Sequence, residues 1–245
     1  MSETRSRVRL RQAVLAAAEL EPVASTLQAS LGLGEPFHDP GVGHFGLTNS
    51  VFAVGDCFLE VVSPAQPDTA AGRYLRRHGG DCGYMVIFDL EDLEGARSRA
   101  QAAGIRVAWQ LDLPDIATTH LHPADMRGAI VSLDCSRPYG TWRWGGPAWT
   151  GQIGTGAPGR LAGVTIAVRD PHTVAARWAH VLDVDLGDGA SPTLRLDGAD
   201  VRFRAVEDAR EEGLVEIAIE GSSQLAAAGG ALVLGGVGLR ESEAA

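Results

Sequence analysis

Glu60 is the residue in this chain with the clearest chemical potential. It lies in the stretch GDCFLEVVSP, which reads as a strand opening after a Gly-Asp turn and closing at Pro64. Period-two alternation puts Phe58, Glu60 and Val62 on one face and Cys57, Leu59 and Val61 on the other, so both faces are apolar. A carboxylate at the centre of such a strand costs several kcal/mol unless it is paired, binds a metal or takes up a proton. Glu60 is therefore a candidate metal ligand, or a general base with its pKa raised by Phe58 and Val62. The bland alternative is a buried acceptor satisfied by backbone amides, an arginine or water.

Other residues are weaker candidates. His120 and His122 are spaced i, i+2 on an expected strand and would share a face, and a metal site built from them and Glu60 is one reading. The other is that His122 braces the following His-Pro turn. His44, in GVGHFGLTNSVF with Asn49 five residues on, sits among glycines in an expected loop near a cleft. Tyr84 would present a hydroxyl there or pack as a strand aromatic. Trp142, Trp144 and Trp149 would line an apolar pocket or join domains. Arg73, Arg76 and Arg77 would greet an anion or lie on a solvated helix face.

Composition removes whole classes of function. The 245 residues carry a formal net charge of −10 and no lysine. That argues against nucleic acid and anionic lipid as partners, and it excludes lysine Schiff-base chemistry. The three cysteines, Cys57, Cys82 and Cys135, have neither metal-ligand nor disulfide-framework spacing, and a reducing cytoplasm is the expected location. No run of about twenty apolar residues predicts a membrane span. No GxGxxG after a strand, no GxxxxGK and no GxSxG occurs.

The elements that must hold Glu60 come from an internal repeat. Four segments open with a short apolar strand, a polar turn and an Ala-rich helix. They begin at QAVLAAAELE, MVIFDLEDLE, GVTIAVRDP and LVEIAIE. Antiparallel strands follow, with turns expected at Val54-Gly55-Asp56, Pro123 to Gly128 and Asp197-Gly198. The expected unit is β-α-β-β-β, with the fourth copy reduced to a strand, a helix stub and ALVLGGVGLRE. A Gly/Pro-rich stretch with three tryptophans, residues 137–160, separates an expected domain at 8–140 from a shorter one at 160–241.

Tandem modules of this phrasing, with FLEVVSP and HLHPADMRGAIVSLD, resemble the vicinal oxygen chelate superfamily, which includes glyoxalases, methylmalonyl-CoA epimerases, extradiol dioxygenases and bleomycin-resistance proteins. The resemblance implies an α+β fold with mixed, strongly curved sheets forming two such domains. It also implies a cleft in which four side chains, from the first and last strands of two modules, hold a divalent metal that chelates two substrate oxygens. Here those positions fall on Gln12, Glu60, Met85 and Ser132, with Asp134 two residues beyond Ser132. Methionine and serine are poor ligands for Mg, Mn or Zn, so the expectation is a diverged site and no cofactor, with a divalent ion held as an alternative. The second domain offers Gly163, Leu214 and Phe203 at matching positions. The resemblance implies a structural, dimerising or cleft-covering role for it, so a homodimer is one option. The expected function is binding of a small organic molecule in a cleft of Gln12, His44, Tyr84, Met85 and Ser132. The alternative is a metal-assisted isomerase, epimerase or lyase using Glu60.

Overall fold

The computed structural model describes residues 6–152, 159–187, 189 and 191–242. In chain order the first half contains β1 (Val8–Ala16), α1 (Leu20–Leu31), β2 (Leu47–Val54), β3 (Cys57–Pro64), α2 (Ala70–His78), β4 (Cys82–Leu90), α3 (Leu93–Ala102), β5 (Val107–Asp112), β6 (Ile116–Leu121), α4 (Pro123–Met126) and β7 (Ile130–Ser136). The second half contains β8 (Arg160–Val168), α5 (Pro171–Leu182), β9 (Asp185–Gly187), β10 (Thr193–Arg195), β11 (Asp200–Ala205), β12 (Gly213–Glu220), α6 (Ser223–Ala227), β13 (Ala231–Leu234) and β14 (Val237–Ser242). Each half builds one mixed, curled sheet, ordered β2-β3-β1-β4-β7-β6-β5 and β13-β14-β12-β8-β11-β10-β9.

Local chemistry sets the helix ends. Asp92 and Asp170 accept from the backbone N–H of Gly95 and Thr173 at 2.9 and 3.1 Å, and Thr69 accepts from Gly72 at 3.0 Å. Helices α1 and α2 stop at Gly32 and Gly79, both left-handed (φ 64° and 80°). In each sheet the first strands of two modules pair antiparallel at the centre, and each is flanked by a parallel last strand. The centre is therefore covered on both faces, which is why β1 and β3 are apolar on both.

Two expectations need correction. Among the described residues only modules two and three have all four strands. Module one replaces one strand by a single bridge, Phe37 to Val51, with reciprocal N–H to O bonds of 2.8 Å. Its segment GEPFHDPGVGHFG carries Pro36 and Pro40, which lack the N–H that a ladder needs. In the fourth module, which holds β12, the five-residue α6 and ALVLGGVGLRE, Gly235 and Gly236 (φ +55° and +70°) close β13 and β14 into a hairpin beside β12. The first strand also begins at Val8 rather than Gln12. Part of the stretch 137–160, residues 153–158, lies outside the described residues.

One face of each sheet joins a shared core that includes Leu10, Phe88, Ile166, Trp178, Phe203 and Leu239. Trp178 of α5 is fully buried between Phe88 and Phe203, with ring centroids at 6.1 and 5.3 Å, and its Nε1–H donates to the Met126 carbonyl at 3.0 Å. Strand β4 passes close to β12 at Gly83, where a Cβ would lie 2.0 Å from the Leu214 carbonyl oxygen. Gly83→Ala is therefore expected to push backbone against backbone. A fall in the urea midpoint equivalent to at least about 2 kcal/mol should follow, and an unchanged midpoint would show that the two halves do not meet there.

Candidate functional site

The other face of the first sheet is concave, and it holds a second apolar cluster with Val14, Phe58, Val62, Ile87 and Trp142. Above this cluster lies a cavity of about 450 Å³, within the range of small-molecule sites. Its wall is mostly apolar and aromatic, with Phe45, Tyr84, Trp109 and Trp144 among the rings.

Glu60 enters the cavity from β3. Its Oε2 accepts from Gln12 Nε2 at 2.6 Å and its Oε1 from Asn49 Nδ2 at 2.7 Å. Both amide orientations follow from what lies behind them. Trp142 Nε1–H, which can only donate, reaches Gln12 Oε1 at 2.8 Å, and the Asp39 backbone N–H reaches Asn49 Oδ1 at 2.9 Å. Both amides must therefore present N–H to the carboxyl group. Burial pushes the Glu60 carboxyl up to about 7, against the pull of Asn49 and Gln12 and with a small upward push from Asp39.

A second carboxyl group faces the same cavity. Asp134 of β7 pairs with Thr118 of β6 in register. Its Oδ1 accepts from Thr118 Oγ1 at 2.8 Å and from Ser132 Oγ, and its Oδ2 accepts from Trp144 Nε1 at 2.7 Å. Burial again dominates and raises this group to about 7. His120 lies against Phe45 and Trp109, at 5.8 and 4.8 Å between centroids, and burial lowers its pKa to about 4, so the ring is neutral at physiological pH. His44 reaches the rim beside the same two rings.

The expected residues are thus distributed unevenly. Gln12, His44, Glu60, Tyr84, Met85 and His120 line the cavity. Ser132 does not; it is fully buried behind the wall as a donor to Asp134. His122 does not share a face with His120, because β6 ends at Leu121 and His122 caps α4, accepting from Ala124 N–H at 3.3 Å. Of the tryptophans, Trp144 lines the cavity and Trp142 braces Gln12. Trp149 packs edge-on to Phe58 at 5.3 Å. Arg73, Arg76 and Arg77 are exposed on α2. Sequence reasoning missed Trp109, Phe45 and Thr118. The alternation in VAWQLD signals a strand but not which face meets the cleft.

The donor set does not fit a four-ligand divalent ion. Both Glu60 oxygens and the Gln12 carbonyl are already engaged by N–H donors, Met85 offers a thioether and Ser132 is walled off. Among the described residues no group of three or more His, Cys, Asp or Glu is placed to hold a metal.

Comparison with known proteins places the architecture. No family model matches the chain. An ethylmalonyl-CoA/methylmalonyl-CoA epimerase of Cereibacter sphaeroides is 26% identical over 133 residues, covering 51% of this chain and 96% of the epimerase. A Mn(II)-bound glyoxalase from Novosphingobium aromaticivorans superposes with a TM-score of 0.68 at 14% identity, over 98% of this chain and 83% of its own. A 4-hydroxymandelate synthase mutant from Streptomyces coelicolor gives 0.66 at 18% identity, over 88% and 71%.

Proposed function

With the vicinal oxygen chelate fold as premise, we propose that this chain is a small-molecule binding protein that works without a four-ligand metal site. The first unit, residues 8–140, supplies the cleft together with Trp142 and Trp144 of the segment that follows it, and residues 160–241 support it. The observation that carries this reading is the Trp142–Gln12–Glu60–Asn49 chain. It fills the place of a chelating set with oriented amide donors at the floor of an apolar cavity. A ligand there gains mainly from burial against the rings and is oriented by the two carboxyl groups.

Trp109 and Trp144 make the test direct. Tryptophan emission should respond saturably to at least one member of a panel of compact aromatic compounds. Met85→Trp, which fills the cavity, should weaken that response at least tenfold. If no panel member gives a saturable change, or if Met85→Trp leaves the affinity unaltered, the reading is wrong.

A second reading, proton transfer at carbon, is favoured by one feature: two carboxyl groups near pKa 7 facing one cavity, suited to giving and taking a proton at neutral pH. The likeness to a curated epimerase supports it. Solvent deuterium entering a bound carbon acid, and lost in Glu60→Gln, would move the assignment to an isomerase or epimerase.

A further inference from the structure

We propose that the cleft selects organic cations, specifically a protonated or quaternary amine carried on a compact apolar or aromatic body. This inference rests on the binding reading above. It comes from an imbalance in the wall. Three acidic side chains, Asp39, Glu60 and Asp134, line the cavity, and among the described residues no arginine does. The chain has no lysine, so among the described residues the imidazoles of His44 and His120 are the only basic groups in the wall.

The groups packed around each acid confirm the sign. Glu60 meets Gln12 from β1, Asn49 from β2 and the more distant Asp39, while Tyr84 faces it from β4. Asp134 meets Thr118, Ser132 and Trp144, with Asp89 as its charged neighbour. Among the described residues neither Glu60 nor Asp134 has a cation within hydrogen-bonding distance, and Asp39 accepts from the Gly41 N–H. The buried arginine nearest in sequence to Gln12 does not line the cavity. Arg11 sits over the rings of Phe58, Trp142 and Trp149 at 5.2–5.4 Å, 3.6 Å from Asp56, and donates to the Gly140 carbonyl at 2.8 Å. Arg73 donates to the Asp68 carbonyl.

Aromatic surface completes the recognition. Phe45, Trp109, Trp144 and Tyr84 line the cavity, and aromatic faces attract cations. An acidic, aromatic wall attracts an onium group and repels a carboxylate or phosphate. Acyl-CoA thioesters and keto acids, which bring anionic oxygens, are poorly suited to it.

The test is a charge series of near-equal shape at pH 8: phenyltrimethylammonium, its neutral isostere tert-butylbenzene, and benzoate. Each is titrated against tryptophan emission of the full chain. We expect the cation to bind at least tenfold tighter than tert-butylbenzene and benzoate to give no saturable change. In Asp134→Asn the cation should lose at least fivefold while tert-butylbenzene moves less than twofold. Equal or tighter binding of tert-butylbenzene overturns the cation preference and leaves the cleft reading intact. Tightest binding of benzoate does the same. If none of the three binds up to its solubility, both readings fall.

Discussion

Replacing Trp178 by alanine is expected to lower the unfolding free energy by roughly 4 kcal/mol, the magnitude of a large aromatic lost from a closed core. The ring is fully buried and touches Phe88 of the first sheet and Phe203 of the second. Its truncation opens a cavity between the halves and leaves the Met126 carbonyl without the indole N–H. The effect should exceed the area term alone, because helix α5 is also tied across the joint. Arg99 Nε donates to the Val181 carbonyl at 3.0 Å, and Arg177 donates to the Asp125 carbonyl. Urea unfolding followed by far-UV dichroism tests it: the midpoint should drop and the transition broaden as the sheets cease to unfold together. A loss under 1 kcal/mol with an unchanged slope would mean that the halves do not share a core.

The second large effect is on pH dependence. Glu60 and Asp134 have ordinary values of 4.5 and 3.8, and both rise to about 7 in the folded chain. An acid with a raised folded pKa binds more protons folded than unfolded between the two values, so stability falls as pH rises through that window. The pair should therefore make the protein more stable at pH 5 than at pH 8, by an amount on the order of a few kcal/mol, with the fall complete a little above pH 7. Below about pH 4 the trend reverses. Asp56, Asp112 and Asp125 are held below their ordinary values, Asp56 by Arg9, Asp112 by Arg97 and Asp125 by Arg106, and their ion pairs are lost as they protonate. The double variant Glu60→Gln, Asp134→Asn should flatten the slope between pH 5 and 8. A native protein whose urea midpoint rises over that range would contradict this account of the cleft.

Much of the fold was legible in the sequence for a physical reason. The repeat writes each module as an apolar strand, a polar turn and an alanine-rich helix, with side-chain caps at Asp92, Asp170 and Ser222 on α3, α5 and α6, and those are local signals. The Gly55-Asp56 and Asp197-Gly198 turns are local too, and both lie where expected, between β2 and β3 and between β10 and β11. The missing strand of module one escaped because two prolines remove ladder donors without removing hydrophobicity. The candidate site was legible only in part. Glu60 stands out as a charge in an apolar strand, but its partner Asn49 lies 11 residues away, and Trp142, which braces its other partner Gln12, lies 82 residues away. Nothing local in NSVF or TWRW names them as its support. At β7, Ser132 and Asp134 share a face, so alternation does not tell which one lines the cavity; the aspartate does, and the serine is buried behind it as a donor.

The short segment after β7 has a consequence for how the protein is made. Trp142 and Trp144, two residues apart, each clamp one side chain of the site through an indole N–H, one Gln12 and one Asp134. Both repeats of the first sheet are complete by Ser136. A nascent chain that has reached that residue therefore owns every strand of its cleft and neither clamp. The two clamps thus belong to no strand: they lie between the last strand of the first sheet and the second sheet, with which the first shares its core.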